Sequence, residues 1–166
     1  MVRKLFTLLV VLAAVLPSAA SMRGPSTAEE RMRVVDYARS LEENPLAKDG
    51  LAKRMWLTEW IVQVPDVTVN ACCMSLWSLD KVNSTYSNQL RMQAIYSQTA
   101  FLLEHPGLKD EAVAQAAGLA GTLRAYKAIL RVDPTAKYPL LDNLLTLERK
   151  GKLEKYVVDQ LKCQNN

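Results

Sequence analysis

The amino-acid sequence predicts an all-α fold, a compact bundle of about six to seven helices behind a cleaved signal peptide. Three observations carry that expectation. Apolar residues along most of the chain recur at intervals of three and four, the helical period. Pro25, Pro45, Pro65, Pro106, Pro134 and Pro139, with Gly50, Gly107 and Gly151, cut that pattern into helix-sized lengths. Val67-Thr68-Val69 is strand-like, but no other run offers it a partner.

The N-terminus reads as an export signal. Met1-Val2-Arg3-Lys4 is basic, Leu5 to Leu16 is an apolar run broken only by Thr7, and Ser18 and Ala20 supply the small residues of a cleavage site. The run is shorter than the roughly 20 residues that a permanent span needs. Cleavage is expected between Ala20 and Ser21, which makes 1–20 the signal and 21–166 a single all-α domain in the periplasm or outside the cell. No later stretch is apolar enough to span a membrane.

The first helix is expected from about Thr27 to Glu43. Ser26 with Glu29, and Thr27 with Glu30, both have the spacing in which a hydroxyl and a carboxylate satisfy each other's free amides. Met32, Val35, Ala38 and Leu41 form its expected inner stripe, and Asn44-Pro45 stops it. The second helix runs from about Leu51 to Val64, with Leu57, Trp60, Ile61 and Val64 on one face and Trp56 at the edge. A turn at Pro65-Asp66 leads to a third, Val69 to Leu79. The polar stretch from Asp80 to Tyr86 is a loop.

The fourth helix spans Ser87 to His105, with Leu90, Ala94, Ser97 and Phe101 aligned, and Pro106-Gly107 ends it. The fifth spans Asp110 to Val132, with acids at its start and Arg131 near its end, as the helix dipole favours. Pro139 to Lys150 and Lys152 to Lys162 complete the set, parted by Gly151 at a left-handed cap. Leu123 to Pro134 resembles the second helix of a tetratricopeptide repeat, with Tyr126 at its aromatic position. However, the small-residue position falls on Ile129, and no turn interrupts Asp110 to Val132, so no repeat array is expected.

Composition narrows the function classes. Hydrophobic residues at 49% and charged residues at 23% are globular proportions and argue against wholesale disorder. The net charge of +4 falls to about +2 once Arg3 and Lys4 leave with the signal, too little to suggest a nucleic-acid partner. One histidine and three cysteines leave little material for metal sites or histidine catalysis. No glycine loop suited to phosphates and no paired zinc-ligand motif occurs, so no cofactor and no metal is expected.

Each remaining candidate has an ordinary structural reading beside a functional one. Cys72 and Cys73 are adjacent, and an exported thiol meets an oxidising environment. A bond from one of them to Cys163 would fasten the last helix to the bundle, while three buried thiols, a strained bond between the adjacent pair and an intermolecular bond are the alternatives. His105, before a proline, suits a helix cap better than a partner for a nucleophilic cysteine. Asn83-Ser84-Thr85 matches a glycosylation acceptor. The pairs Glu29-Glu30, Glu42-Glu43 and Asp110-Glu111 read as solvated charge at helix ends or on exposed faces.

Trp56, Glu59 and Trp60 are the candidate binding residues. A carboxyl beside indole can act as a general acid, but that chemistry needs a second carboxylate at a defined separation, and spacing supplies none. Ala114, Ala117, Gly118, Gly121 and Ala125 form a small-residue stripe that another helix can approach closely, so Gly118→Leu or Gly121→Leu should destabilise by about 1–3 kcal/mol.

With no catalytic residue assigned, the expected function is an exported, non-catalytic helical protein that binds another macromolecule, with a protein partner of unknown identity. Trp56 is its leading contact, and Trp56→Ala is expected to lower partner recovery with little change in melting temperature. The alternatives are a small-ligand module with a tryptophan-containing groove, using Trp56, Trp60 and nearby Met55, and a carboxylate-dependent hydrolase with an acid such as Glu59.

Overall fold

The computed structural model describes residues 23–70, 79 and 85–164, with side chains described as far as residue 160. Among them are six α-helices and no strand: α1 (Ala28–Glu43), α2 (Gly50–Gln63), α3 (Ser87–Glu104), α4 (Glu111–Val132), α5 (Pro139–Arg149) and α6 (Leu153–Gln164). The expected third helix falls mostly outside the described residues. Its ends do not: Val69 and Asn70 belong to no regular element, and Leu79 is buried. Cys72, Cys73, Trp77 and Asn83, the side chain of Cys163 and the whole signal region also lie outside.

Local chemistry fixes the helix ends. The Glu30 amide donates to Thr27 Oγ1 at 3.2 Å and the Thr27 amide to Glu30 Oε2 at 2.9 Å, which closes a capping box. Asp110 Oδ1 accepts from the amides of Ala112 and Val113 at 3.0 and 3.3 Å at the start of α4. Pro139 opens α5, where its missing amide proton is not needed. Gly151, at φ 64°, closes that helix: its amide bonds to Glu148 O and the Lys152 amide to Leu147 O, both at 2.9 Å.

The central unit is the α3–α4 pair, with α1 lying against both, α2 against α1, and α5 and α6 against α4. Small residues set the spacing. A Cβ at Gly118 would meet Ala94 O at 2.6 Å, and one at Gly121 would meet Ser97 Oγ at 2.0 Å, so the stripe lets the two helices approach closely, as its spacing suggests. The larger apolar core joins α3, α4, α5 and α6 around Leu90, Leu119, Leu123, Ile129, Leu141 and Leu144. A smaller one joins α1, α2 and α3 around Val34, Ala38, Leu41, Leu57, Trp60 and Tyr96.

Two expectations for α1 are overturned. Met32 is 67% exposed, and the buried arc is Val34, Ala38, Leu41 and Glu42. Because α1 faces α3 and α4 together, its inward side centres near Val34 and Ala38, which leaves Met32 roughly 160° from Val34. Glu42 is 3% exposed rather than solvated. Its carboxylate accepts from Arg39 at 2.6 Å, Arg124 at 2.7 Å and Ser97 Oγ at 2.7 Å, so one buried charge joins α1, α3 and α4. Arg39 also reaches Glu104 at 2.5 Å, and Gln93 bridges Ser97 Oγ and Ala38 O.

A tyrosine relay secures the turn between α4 and α5. Tyr126 donates its hydroxyl to Asp142 Oδ1 at 2.9 Å and accepts the Tyr138 amide at 3.0 Å. Burial, helped by Asp142, pushes the Tyr126 hydroxyl up to about 12, so it remains a donor at any working pH. Tyr126→Phe leaves the buried Tyr138 amide without this acceptor and should lower stability by about 1–2 kcal/mol, read from the denaturant midpoint.

Candidate functional site

α2 is apolar on two opposite sides. Leu57, Trp60 and the capping Val64 point into the smaller core. Leu51, Met55 and Val62 point outward and are 64%, 64% and 80% exposed. A helix that is apolar all round is normally covered all round. Here α1 covers only the inner side.

The outward residues form one wall of a groove of about 690 Å³, and Asn88, Gln89, Met92 and Tyr96 of α3 form the other. The Tyr96 hydroxyl is 2.7 Å from Thr58 Oγ1 and 3.2 Å from Arg54 O, which fixes α2 to α3 at mid-length. Arg54 lines the same groove and donates to Pro45 O at 3.0 Å. Burial lowers the pKa of its guanidinium against the pull of Tyr96. No carboxylate among the described residues pairs with it.

The tryptophans lie on the other flank. Trp56, Glu59, Trp60 and Gln63 share a hollow of about 290 Å³ with Arg23 and Glu30. Trp60 is only 2% exposed and belongs to the smaller core. Trp56 is half-buried, edge-on to Tyr37 at 5.4 Å and stacked with Trp60 at 6.4 Å, with the Arg33 guanidinium 5.4 Å from its ring centre. Its removal would therefore disturb packing as well as any contact to a partner. Glu59 is exposed and accepts from Gln63 Nε2 at 3.1 Å.

Glu30 is the second carboxylate in that hollow, but it is already engaged. The Thr27 amide leads in lowering its pKa, desolvation opposes it, and Arg23 and the Trp60 indole tip the balance further down. Arg23 pairs with it directly, and its guanidinium lies 5.8 Å from the centre of the Trp60 ring. Trp60 Nε1 is buried and, among the described residues, has no partner within hydrogen-bond distance, so its pull on Glu30 is through space rather than through a formed bond. General acid–base work needs two groups driven apart in pKa. Glu30, held by the cap and by Arg23, is kept ionised and is committed to the fold.

Among the described residues, no group of three acidic, histidine or cysteine side chains could hold a metal ion. His105 acts as a helix terminus, its Nδ1 2.9 Å from Phe101 O and its ring stacked on Phe101 at 4.1 Å. No described helix is long and apolar enough to cross a membrane. No family model matches the chain, and neither a curated protein nor a solved structure matches it.

Sequence reasoning singled out the tryptophans and passed over the Leu51, Met55 and Val62 stripe. The signal for it was present: these residues lie opposite Leu57, Trp60 and Val64 on a helical wheel.

Proposed function

We propose that this chain is an exported, non-catalytic helical protein that binds another protein through the outward face of α2. The observation that carries the reading is the exposure of Leu51, Met55 and Val62 on a helix whose opposite face is already buried. Contiguous apolar surface of this kind marks interaction sites. Met92, half-buried on α3, adds apolar surface to the far wall of the groove, in keeping with interfaces enriched in methionine. Export rests on the basic, apolar and small-residue order of the first twenty positions. Capture of a small aromatic ligand by the tryptophans fits less well, because the hollow beside them, about 290 Å³, falls just below the usual ligand-site volumes of roughly 300–1,000 Å³.

The test is a photo-crosslinking residue in place of Met55, in protein recovered from the exported fraction of the source cells. Adducts should form there and fail to form from a control site at Lys152, and Val62→Glu should reduce them about tenfold or more. The melting temperature of Val62→Glu should stay within about 2 °C of wild type, because Val62 is outside both cores. No adduct at Met55, or adducts indifferent to Val62→Glu, would overturn the reading. Mass spectrometry of the same material should find Ser21 as the first residue, and an intact Met1 would refute export processing.

A further inference from the structure

Resting on α2's outward face as the binding surface, we infer that its occupant is a second copy of this chain, with the two α2 helices parallel about a two-fold axis. Leu51, Met55, Thr58 and Val62 succeed one another at intervals of four, three and four residues, the spacing of a coiled-coil seam. This register places Leu51 and Thr58 at d positions and Met55 and Val62 at a. Leu51 at d and Val62 at a follow the pattern that favours two parallel strands, with Met55 and Thr58 between them neutral to it.

Charge selects the same orientation. In this register Arg54 stands at g and Glu59 at the following e, one on each flank of the seam. In a parallel pair, g of one helix meets e of the other, so Arg54 faces Glu59 of the second copy and the reciprocal pair forms as well. In an antiparallel pair, Arg54 would meet Arg54 and Glu59 would meet Glu59. Glu59 is exposed, and Arg54, part-buried with its Nη1 on Pro45 O, keeps its remaining guanidinium nitrogens for the match. Among the described residues Arg54 has no carboxylate partner, and Glu59 accepts only from Gln63 on its own helix.

The helix is already held by α1 and by the Tyr96 hydroxyl, so pairing does not have to order it. The seam is less than two heptads long, which puts the contact below the size of permanent interfaces and makes the dimer reversible.

Sedimentation equilibrium of the purified mature chain tests this. The mass should rise from one chain to two with a dissociation constant of roughly tens of micromolar. Glu59→Arg, at an exposed site, should weaken pairing about tenfold, and Arg54→Glu should do the same. The double swap should restore it to within about threefold of wild type, a rescue that a purely structural role for either residue would not give. A chain still monomeric at about 1 mM, or a double swap that fails to rescue Glu59→Arg, would overturn self-pairing. If the purified chain is monomeric while the Met55 crosslinker captures a different protein, self-pairing falls and the binding surface stands. If it is monomeric and Met55 captures nothing, both fall.

Discussion

Gly121→Ala should lower the stability of this protein by about 3 kcal/mol, although the change adds one methyl group to a helix that alanine favours. Alanine in place of glycine within a helix is worth about 1 kcal/mol in the opposite direction, so the steric term has to exceed that gain severalfold. The positions available to the new Cβ decide the outcome. It would lie 2.0 Å from Ser97 Oγ, 2.3 Å from Ser97 Cβ and 2.6 Å from Glu42 Oε1, all far inside contact distance. Ser97 cannot rotate aside without penalty, because its hydroxyl donates to Glu42 and accepts from Gln93. Relief therefore requires α3 and α4 to separate along the contact that organises the fold. At this chain length the loss corresponds to a fall of about 6–12 °C in melting temperature, measured by circular dichroism. Gly24→Ala, where a Cβ meets nothing within 4 Å, is the matched control and should leave the midpoint nearly unchanged. Equal midpoints for the two variants would contradict the close approach of α3 and α4.

The small-residue stripe behind that prediction was legible in the sequence, and so were most helix limits. Thr27 with Glu30, Asp110, Pro139 and Gly151 act on backbone groups a few residues away, so their effects are written locally. Glu42 was not legible. Its burial depends on Arg124, 82 residues further along, and on Ser97, 55 residues along. A glutamate near a helix end has no local mark that separates it from a solvated one. The orientation of α1 was misjudged for a related reason. Met32 and Val35 continue a helical stripe, but the side that becomes buried is set by two neighbours acting together. At the candidate site, tryptophan content drew attention to α2, whereas the exposed apolar side of that helix is the one opposite Trp60. Large aromatics supply the most apolar area, so the core takes Trp60, and the weaker Leu51, Met55 and Val62 pattern stays outside.

Acid should weaken the joint made by Glu42, and Glu42→Gln should remove most of that acid sensitivity. Burial by itself would raise the Glu42 carboxyl, but hydrogen bonds from Arg124 and Ser97 and the charges of Arg124 and Arg39 outweigh it, leaving the pKa below the ordinary value. A carboxyl depressed in the folded state contributes its full stability above the unfolded value, about 4.3 for glutamate, and loses it as pH falls through the folded value. Asp66 acts in the same direction: the Ser26 amide leads, with the Ser26 hydroxyl and Arg31, in holding its carboxyl down to about 2. Wild-type stability should therefore be flat above about pH 5 and decline steadily toward about pH 2. Removing one partner of a buried ion pair costs about 3–5 kcal/mol. Arg39 and Arg124 remain 29% and 43% exposed and keep part of their hydration, so Glu42→Gln should fall at or just below the bottom of that range, about 2–3 kcal/mol at neutral pH. The difference between variant and wild type should then shrink as pH falls, because acid converts the wild-type carboxylate into the neutral group that glutamine imitates. Urea denaturation of both proteins at about pH 7 and about pH 3 reads this directly. Parallel pH dependences, with a constant gap between them, would show that Glu42 is not the titrating link and that the acid response belongs to Asp66 and other carboxylates.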